Sequence, residues 1–160
     1  MDRIGLDEYF LRMATLASLR STCARRHTGC VLVDREKHVA ATGYNGVPVG
    51  FPHCRGGERC SGAVAVPGES LDACLAVHAE ANALLQCRDP YSLATAYCTD
   101  SPCMHCVKLL LNTSVQRVVF TRGYPHRDAP GLWTRQPGRT WEHVMLRWPM
   151  TLEQSYCRSC

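Results

Sequence analysis

Four residues in two short stretches of the chain have the types and the spacing of a catalytic metal site. His78 and Glu80 are two residues apart, and Cys103 and Cys106 follow a predicted strand and are three residues apart. One imidazole and two thiolates are ligands that zinc prefers, and a site with three protein ligands keeps a fourth position for water. Zinc lowers the pKa of that water to about 7, so the pattern predicts a hydrolytic reaction at neutral pH.

The local spacing supports this interpretation. Glu80 is near enough to His78 to reach the activated water without ligating the metal, which suits it to carry protons. The i, i+3 spacing puts both cysteines on one side of a helix that begins near Pro102, and a second helix is predicted to begin at His78. A Cys-x-x-Cys pair alone is equally typical of a redox pair or half of a structural zinc site.

The composition is that of an ordinary globular protein, with 160 residues, 46% of them hydrophobic and 20% charged. This length predicts a single domain over residues 1–160. No apolar run of 18 residues occurs and the start is not typical of a signal peptide, so no membrane association is expected. Without a secretory signal, the eleven cysteines indicate a reducing compartment, which is the cytoplasm. They are then expected to serve as metal ligands rather than to form disulfides. A net charge of +4 without a basic tract suits an anionic small molecule at least as well as a polynucleotide.

The periodicity of apolar residues predicts alternating helices and strands. Helices are expected over 6–20, 72–87, 104–111 and 141–146, and strands over 29–33, 38–42, 94–98 and 115–121. This order predicts an α/β fold, a three-layer α-β-α sandwich in which the two strands around helix 104–111 are parallel. A loop over 47–71, rich in Gly and Pro, is long enough that something must hold it in place.

His-x-Glu followed by Pro-Cys-x-x-Cys is the signature of zinc deaminases that act on nucleobases. With its other motifs, the chain resembles the deoxycytidylate (dCMP) deaminase family in its bacterial and phage forms. The stretches that carry the resemblance are 7–10, 19–26, 42–46, 52–54, 78–85 and 102–110. Val-Lys-Leu-Leu at 107–110 distinguishes it from tRNA-adenosine deaminases, which typically have Ala-Gly-Ala there.

The resemblance implies a cytidine-deaminase-like fold with a central mixed five-stranded sheet. It implies hydrolytic deamination of dCMP to dUMP and ammonia, which supplies the precursor of thymidylate. It also implies a homo-oligomer, usually a hexamer, that dCTP activates and dTTP inhibits, in the cytosol of a bacterium or a phage-infected host.

The resemblance further implies roles for individual residues. His78, Cys103 and Cys106 are expected to bind the catalytic zinc, with Glu80 carrying protons to ring N3 and to the departing amine. The expected substrate-binding residues are Asn45, Ala79, Ser101, Tyr124, Arg25 and Arg26. For four of these residues a structural alternative exists. Asn45 is expected to bond a sugar hydroxyl or else only to form a turn, and Tyr124 to pack on the base or else to belong to the core. The two arginines are expected to pair with a 5′-phosphate or else to be solvated.

Four further cysteines are candidates for a second, structural zinc that the resemblance implies: Cys23, Cys54, Cys60 and Cys74. Cys74 is expected on the helix face one turn before His78. A closed four-thiolate site would hold the 47–71 loop in place. His53 is the alternative fourth ligand, and buried free thiols are the alternative for the whole set.

Departures from the family pattern leave other functions open. Thr28-Gly29-Cys30 stands where Val-Gly-Ala is usual, and Asp89 stands where some relatives have an arginine. Either Arg88 takes the place of that arginine, or the substrate is a 5-substituted dCMP or dCTP. A polynucleotide deaminase would need an aromatic, basic channel, which the sequence does not show beyond 20–26. A zinc-stabilised nucleic-acid-binding module without catalysis is the alternative of another class, and Glu80 argues against it.

Overall fold

The structure, a computed structural model, describes residues 3–54, 59–64, 74–124 and 128–146. The helices are α1 (Leu6–Ser18), α2 (Ser61–Val64), α3 (Ala79–Gln86), α4 (Met104–Leu111) and α5 (Ala129–Thr134). The strands are β1 (Gly29–Asp34), β2 (Val39–Tyr44), β3 (Leu93–Asp100), β4 (Arg117–Arg122) and β5 (Thr140–His143). Within these described ranges, every helix is too short or too polar to cross a bilayer.

The five strands form one mixed sheet in the order β2-β1-β3-β4-β5. β1 is antiparallel to β2 and β3, whereas β3, β4 and β5 run parallel. A short polar turn is enough to join the antiparallel pair β1 and β2, but parallel neighbours need crossover connections, which α4 and α5 provide. The predicted mixed five-stranded sheet is confirmed. The start of β1 and the ends of β2, β3 and β4 consequently meet at one edge of the sheet.

Helices cover both faces of the sheet, as the three-layer prediction requires. One buried cluster joins the sheet to α3, α4 and α5, and includes Ala83, Val107, Leu110 and Trp133. The other joins the sheet to α1 through Phe10, Leu11 and Ala14. Consecutive residues of β1 alternate between the two clusters, which explains why this strand is an unbroken apolar run.

The prediction of a last helix over 141–146 is wrong. Residues 140–143 form the edge strand β5, and the helix of this region is α5, over 129–134. Arg139 holds the two elements together: its guanidinium lies 4.5 Å from the centre of the Trp133 ring and donates to the carbonyls of Leu111 and Val115. These contacts join residues distant in sequence, so helical periodicity could not reveal them.

The predicted helix over 72–87 is shorter than expected. It begins at Ala79, and residues 74–78 are not helical, while 72 and 73 lie outside the described residues. Val77 instead exchanges two backbone hydrogen bonds with Gly46, of 2.8 and 3.1 Å. The placement of Cys74 on the same helix face as His78 is therefore wrong.

The first turn of α3 lies directly against β2 because Gly43 has no side chain. A Cβ at Gly43 would lie 2.2 Å from the Ala79 carbonyl oxygen and 2.4 Å from the Ala83 nitrogen. The Asn82 side-chain amide also donates to the Tyr44 carbonyl oxygen at 2.8 Å. These contacts set the position of the helix that begins after His78.

Replacing Gly43 with alanine should therefore push α3 away from the sheet. We expect Gly43→Ala to lower the free energy of unfolding by about 1–3 kcal/mol, the usual cost of overpacking, and to weaken metal retention. Urea unfolding and zinc content measure the two effects. Gly131→Ala is the matched control, because an added Cβ there meets nothing within 4 Å. Equal unfolding midpoints for the two variants would contradict the prediction.

An ion-pair cluster stabilises the opposite edge of the sheet. The Arg117 guanidinium donates to both carboxylate oxygens of Asp7 at 3.2 Å and to those of Glu142 at 2.9 and 2.5 Å. The Tyr97 hydroxyl also donates to Asp7, at 2.7 Å. Burial raises the pKa of Asp7, but the hydrogen bonds from Arg117 and Tyr97 outweigh it and the net shift is downward. Arg117 likewise lowers the pKa of Glu142.

This cluster predicts a pH-dependent contribution to stability. Because the folded pKa values are lowered, the contribution is complete above the unfolded values of about 4 and is lost as the pH falls below them. Arg117 is a third exposed, so we expect Arg117→Met to cost only about 1 kcal/mol near pH 7, and less near pH 3. Urea unfolding at both pH values, with Arg35→Met as control, measures this. If Arg117→Met lowers the free energy of unfolding by the same amount at both pH values, the ionic contribution is excluded.

Candidate active site

Three side chains that could hold a metal ion meet where the first turns of α3 and α4 approach each other. His78 is the N-cap residue of α3 and Cys103 that of α4, both with extended backbones, and Cys106 follows in the first turn of α4. His78 Nδ1 lies 3.3 Å from Cys103 Sγ and 3.4 Å from Cys106 Sγ. Over the described part of the chain, these three form the one group of His, Cys, Asp or Glu donors that all lie within 4.8 Å of one another.

This geometry fits a zinc ion. Bond lengths of about 2.05 Å to nitrogen and 2.3 Å to sulfur, at a tetrahedral angle, separate the two donor atoms by about 3.6 Å. The observed separations are close to that value. His78 is exposed while Cys106 is buried, so the donor set opens to solvent on the histidine side. A substrate can approach from that side.

The donor atoms are electrostatically coupled. Hydrogen bonds from Cys106 and from His78 lower the pKa of the Cys103 thiol to about 3. The Cys103 sulfur in turn raises the pKa of His78. The helix N-termini also place partial positive charge beside these sulfurs. The site therefore favours the thiolate that metal binding requires.

Glu80 lies in the first turn of α3, beside this donor set but outside it. Its side chain is 7% exposed, and burial raises the pKa of its carboxyl group. Glu80 also hydrogen-bonds to Cys106. A carboxyl group whose pKa is shifted toward neutrality can take up a proton and release it again during a reaction.

The Asn45 side chain is already committed to the protein. Its oxygen accepts from Ser21 Oγ at 2.7 Å and from the Thr28 nitrogen at 2.8 Å, and its amide donates to the Arg26 carbonyl at 2.9 Å. Both acceptor positions of the oxygen are thereby occupied, which leaves one N–H. Asn45 thus positions residues 21–28, which we call the strap, and it can offer a sugar hydroxyl only a donor.

Ser101 and Tyr124 lie together at the carboxyl ends of β3 and β4. The Tyr124 backbone nitrogen donates to Ser101 Oγ at 2.7 Å, and the Ser101 nitrogen donates to the Arg122 carbonyl at 2.8 Å. Ser101 precedes Cys103 by two residues, so its hydrogen bond places the half-buried Tyr124 near the start of α4. Ala79 is 1% exposed and packs in the core, so only its backbone is available there.

Arg25 and Arg26 are both predicted to pair with the phosphate, but they make different contacts in the structure. Arg25 donates to the Gly62 carbonyl at 2.8 Å, toward α2. Arg26 instead lies over the Tyr124 ring, 4.7 Å from its centre, and 4.0 Å from an Asp100 carboxylate oxygen. Sequence analysis missed Asp100 and Arg122, which meet here because the parallel register of β3 and β4 pairs them. Nothing in the local sequence signals that pairing.

The four other candidate cysteines come from three separate segments and converge on one region. Cys54 Sγ lies 3.9 Å from Cys60 Sγ, and Cys60 and Cys74 are hydrogen-bonded to each other. Cys23 acts electrostatically on Cys74 and accepts from the Arg25 nitrogen at 3.4 Å. The four sulfurs are more widely spread than the first donor set. His53, the alternative ligand, is exposed.

The mixed sheet and the His-Cys-Cys donor set at two helix starts define a domain of the zinc-dependent deaminase type. Residues 5–122 match the family described as "Cytidine and deoxycytidylate deaminase zinc-binding region". The chain belongs to that family.

Individual relatives agree with this assignment. The deoxycytidylate deaminase of Mycobacterium phage D29 is 45% identical over 129 residues, which cover 76% of this chain and 98% of that one. That of Saccharomyces cerevisiae is 43% identical over 126 residues, but the match spans only 39% of its length. The crystal structure of dCMP deaminase from cyanophage S-TIM5 in complex with dCMP and dUMP is 26% identical, with a TM-score of 0.68 over 90% of this chain and 100% of that one.

Proposed function

We propose that this protein hydrolyses dCMP to dUMP and ammonia. The observation that carries the proposal is the His78, Cys103 and Cys106 donor set with the buried Glu80 beside it. The names of the phage and yeast relatives, and the dCMP and dUMP bound in the cyanophage structure, support the nucleotide. A 5-substituted dCMP and dCTP are the alternative substrates.

Glu80 carries the protons of this reaction. Zinc held by His78, Cys103 and Cys106 would activate water at neutral pH. Glu80 takes a proton from the water that adds to C4 of the cytosine ring and delivers it to N3. It then takes the proton of the new C4 hydroxyl and transfers it to the amino group, the C4–N4 bond breaks, and ammonia leaves as the C4 carbonyl of uracil forms. Burial keeps the Glu80 carboxyl available for both transfers.

The residues around the metal site would orient the nucleotide. The remaining N–H of Asn45 donates to a sugar hydroxyl, and backbone atoms of Ala79 and Ser101 face the amino group. The Tyr124 ring packs on the base. Arg26 pairs with the 5′-phosphate, because a guanidinium matches phosphate geometry. Arg25 is turned toward Gly62, which leaves the phosphate to Arg26.

Glu80→Gln tests the catalytic assignment. We expect kcat on dCMP to fall by about 10²- to 10⁴-fold, the usual contribution of general acid–base catalysis, with zinc content unchanged because Glu80 is not a ligand. The assay compares dCMP, 5-methyl-dCMP, dCTP, deoxycytidine and a cytosine-containing single strand.

Glu36→Gln, an exposed carboxylate on the turn after β1, is the control. Zinc-loaded wild-type protein that deaminates none of these compounds would overturn the proposed function. The non-catalytic nucleic-acid-binding module would then be the better account.

We also propose a second, structural zinc bound by Cys23, Cys54, Cys60 and Cys74. Supporting this, the thiols converge from distant segments, and the backbone amides of Leu75 and Ala63 hydrogen-bond to Cys60. Cys23 and Cys54 are 3% and 4% exposed. A metal here would tie the 47–71 loop to the strap and so support the single domain proposed over residues 1–160. Residues 55–58 and 65–71 of that loop lie outside the described residues.

Metal analysis of single variants tests the second site. We expect Cys54→Ser and Cys60→Ser each to reduce zinc from about two ions to about one per chain and to lower thermal stability. Cys87→Ser, which changes a half-buried cysteine outside both groups of candidate metal ligands, should retain both ions. One zinc per wild-type chain would contradict the proposal.

Assembly, regulation and location remain predictions from the resemblance. We propose a homo-oligomer, with a hexamer as the expected size, that dCTP activates and dTTP inhibits. The proposed location is the cytosol of a bacterium or phage-infected host, because thiol metal ligands need a reducing compartment. Sedimentation measures the assembly, and dCMP turnover with and without dCTP or dTTP measures the regulation.

A further inference from the structure

Arg122 connects the end of β3 to the strap. Its Nε donates to Asp100 Oδ1 at 3.2 Å and its Nη2 to Asp100 Oδ2 at 2.8 Å. The same Nη2 also donates to the His27 carbonyl oxygen at 3.2 Å. One guanidinium therefore links a strand end beside the metal ligands to the residue that follows Arg26.

Asp100 is held firmly between its partners. Its side chain is only 13% exposed, and its Oδ2 also accepts from the Thr99 hydroxyl at 3.1 Å. A paired, two-point contact with a guanidinium fixes the carboxylate in direction as well as in distance. Asp100 thus holds Arg122 by two hydrogen bonds, and Arg122 holds the strap by one.

The distances show which arginine can turn to a substrate. Arg122 lies 2.8 Å from the Asp100 carboxylate, whereas Arg26 lies 4.0 Å from it. Arg122 already pairs with the Asp100 carboxylate. Arg26, the more distant partner, can therefore bind another anion at little cost. The Arg26 guanidinium carbon lies 4.7 Å from the centre of the Tyr124 ring, a cation–π contact that supports this side chain.

Two consecutive carbonyls of the strap, those of Arg26 and His27, are held by different side chains. Asn45 binds the Arg26 carbonyl, and Arg122 binds the His27 carbonyl. If the Arg122 contact is lost, the strap keeps its Asn45 contacts but loses its link to β3. The Arg26 side chain would then spend less time at the rim of the site.

We propose that Arg122 is a positioning residue that determines the preference for a 5′-phosphorylated substrate. By holding Asp100 and the His27 carbonyl, it keeps Arg26 over Tyr124 with its donors available to the phosphate. This inference rests on the proposed function, since it assigns the phosphate to Arg26. Arg122 itself does not bind the phosphate, because Asp100 and the strap occupy two of its three nitrogens.

Arg122→Met tests the inference through a contrast between charged and uncharged ligands. We expect KM for dCMP to rise about tenfold with kcat within about twofold of wild type. The competitive inhibition constant of dUMP should rise by a similar factor of about ten, while that of deoxyuridine, which lacks the phosphate, stays within about twofold. Arg35→Met removes the same charge from the exposed turn after β1 and is the control. Arg122→Lys keeps the charge without the two-point contact, so it should resemble Arg122→Met.

The possible results separate cleanly. If Arg122→Met weakens inhibition by dUMP and by deoxyuridine equally, Arg122 has a general structural role. If neither inhibition constant changes, Arg122 has no role in binding. Rescue by Arg122→Lys would mean that charge alone matters, and each of these results overturns the inference. Absence of dCMP turnover by the wild-type protein would instead overturn the proposed function.

Discussion

Three donor atoms at the starts of two different helices must lie within about 4 Å of one another to bind one zinc ion, and much of this structure serves that requirement. His78 and Cys103 can meet only if the first turns of α3 and α4 arrive at the same point. α3 is brought there by its close contact with β2 at Gly43, and α4 by its position after β3. The mixed sheet allows both helices to begin at this point, because β2 and β3 end at the same edge.

The same edge explains why the residues proposed to bind substrate lie beside those proposed to carry out catalysis. The strap reaches it before β1, Asn45 follows β2, Ser101 follows β3 and Tyr124 follows β4. Polar groups there cluster in a small volume, and most of them bind each other. Asn45 shows the consequence, since three of its hydrogen-bonding positions are used inside the protein before any ligand arrives.

Two kinds of polar cluster can be distinguished in this molecule. At the far edge, the ion pairs of Arg117 with Asp7 and Glu142 join α1, β4 and β5, and their role is to stabilise the fold. At the near edge, Asp100 is shared unequally by Arg122 and Arg26. Such unequal sharing is what an adaptable binding site needs, because one cation holds the carboxylate while the other stays available.

The sequence alone identified the candidate metal donor set and the carboxylate proposed to carry protons, because His-x-Glu and Cys-x-x-Cys each depend on spacing within one turn. It also determined most of the strands, through their apolar runs. The tertiary structure decided what depends on pairing between distant segments. Examples are the strand at 140–143, which Arg139 and β4 hold in place, the non-helical backbone before His78, and the different directions of Arg25 and Arg26. The Asp100–Arg122 pair belongs to this second group, since only the parallel register of β3 and β4 brings two residues 22 positions apart into contact.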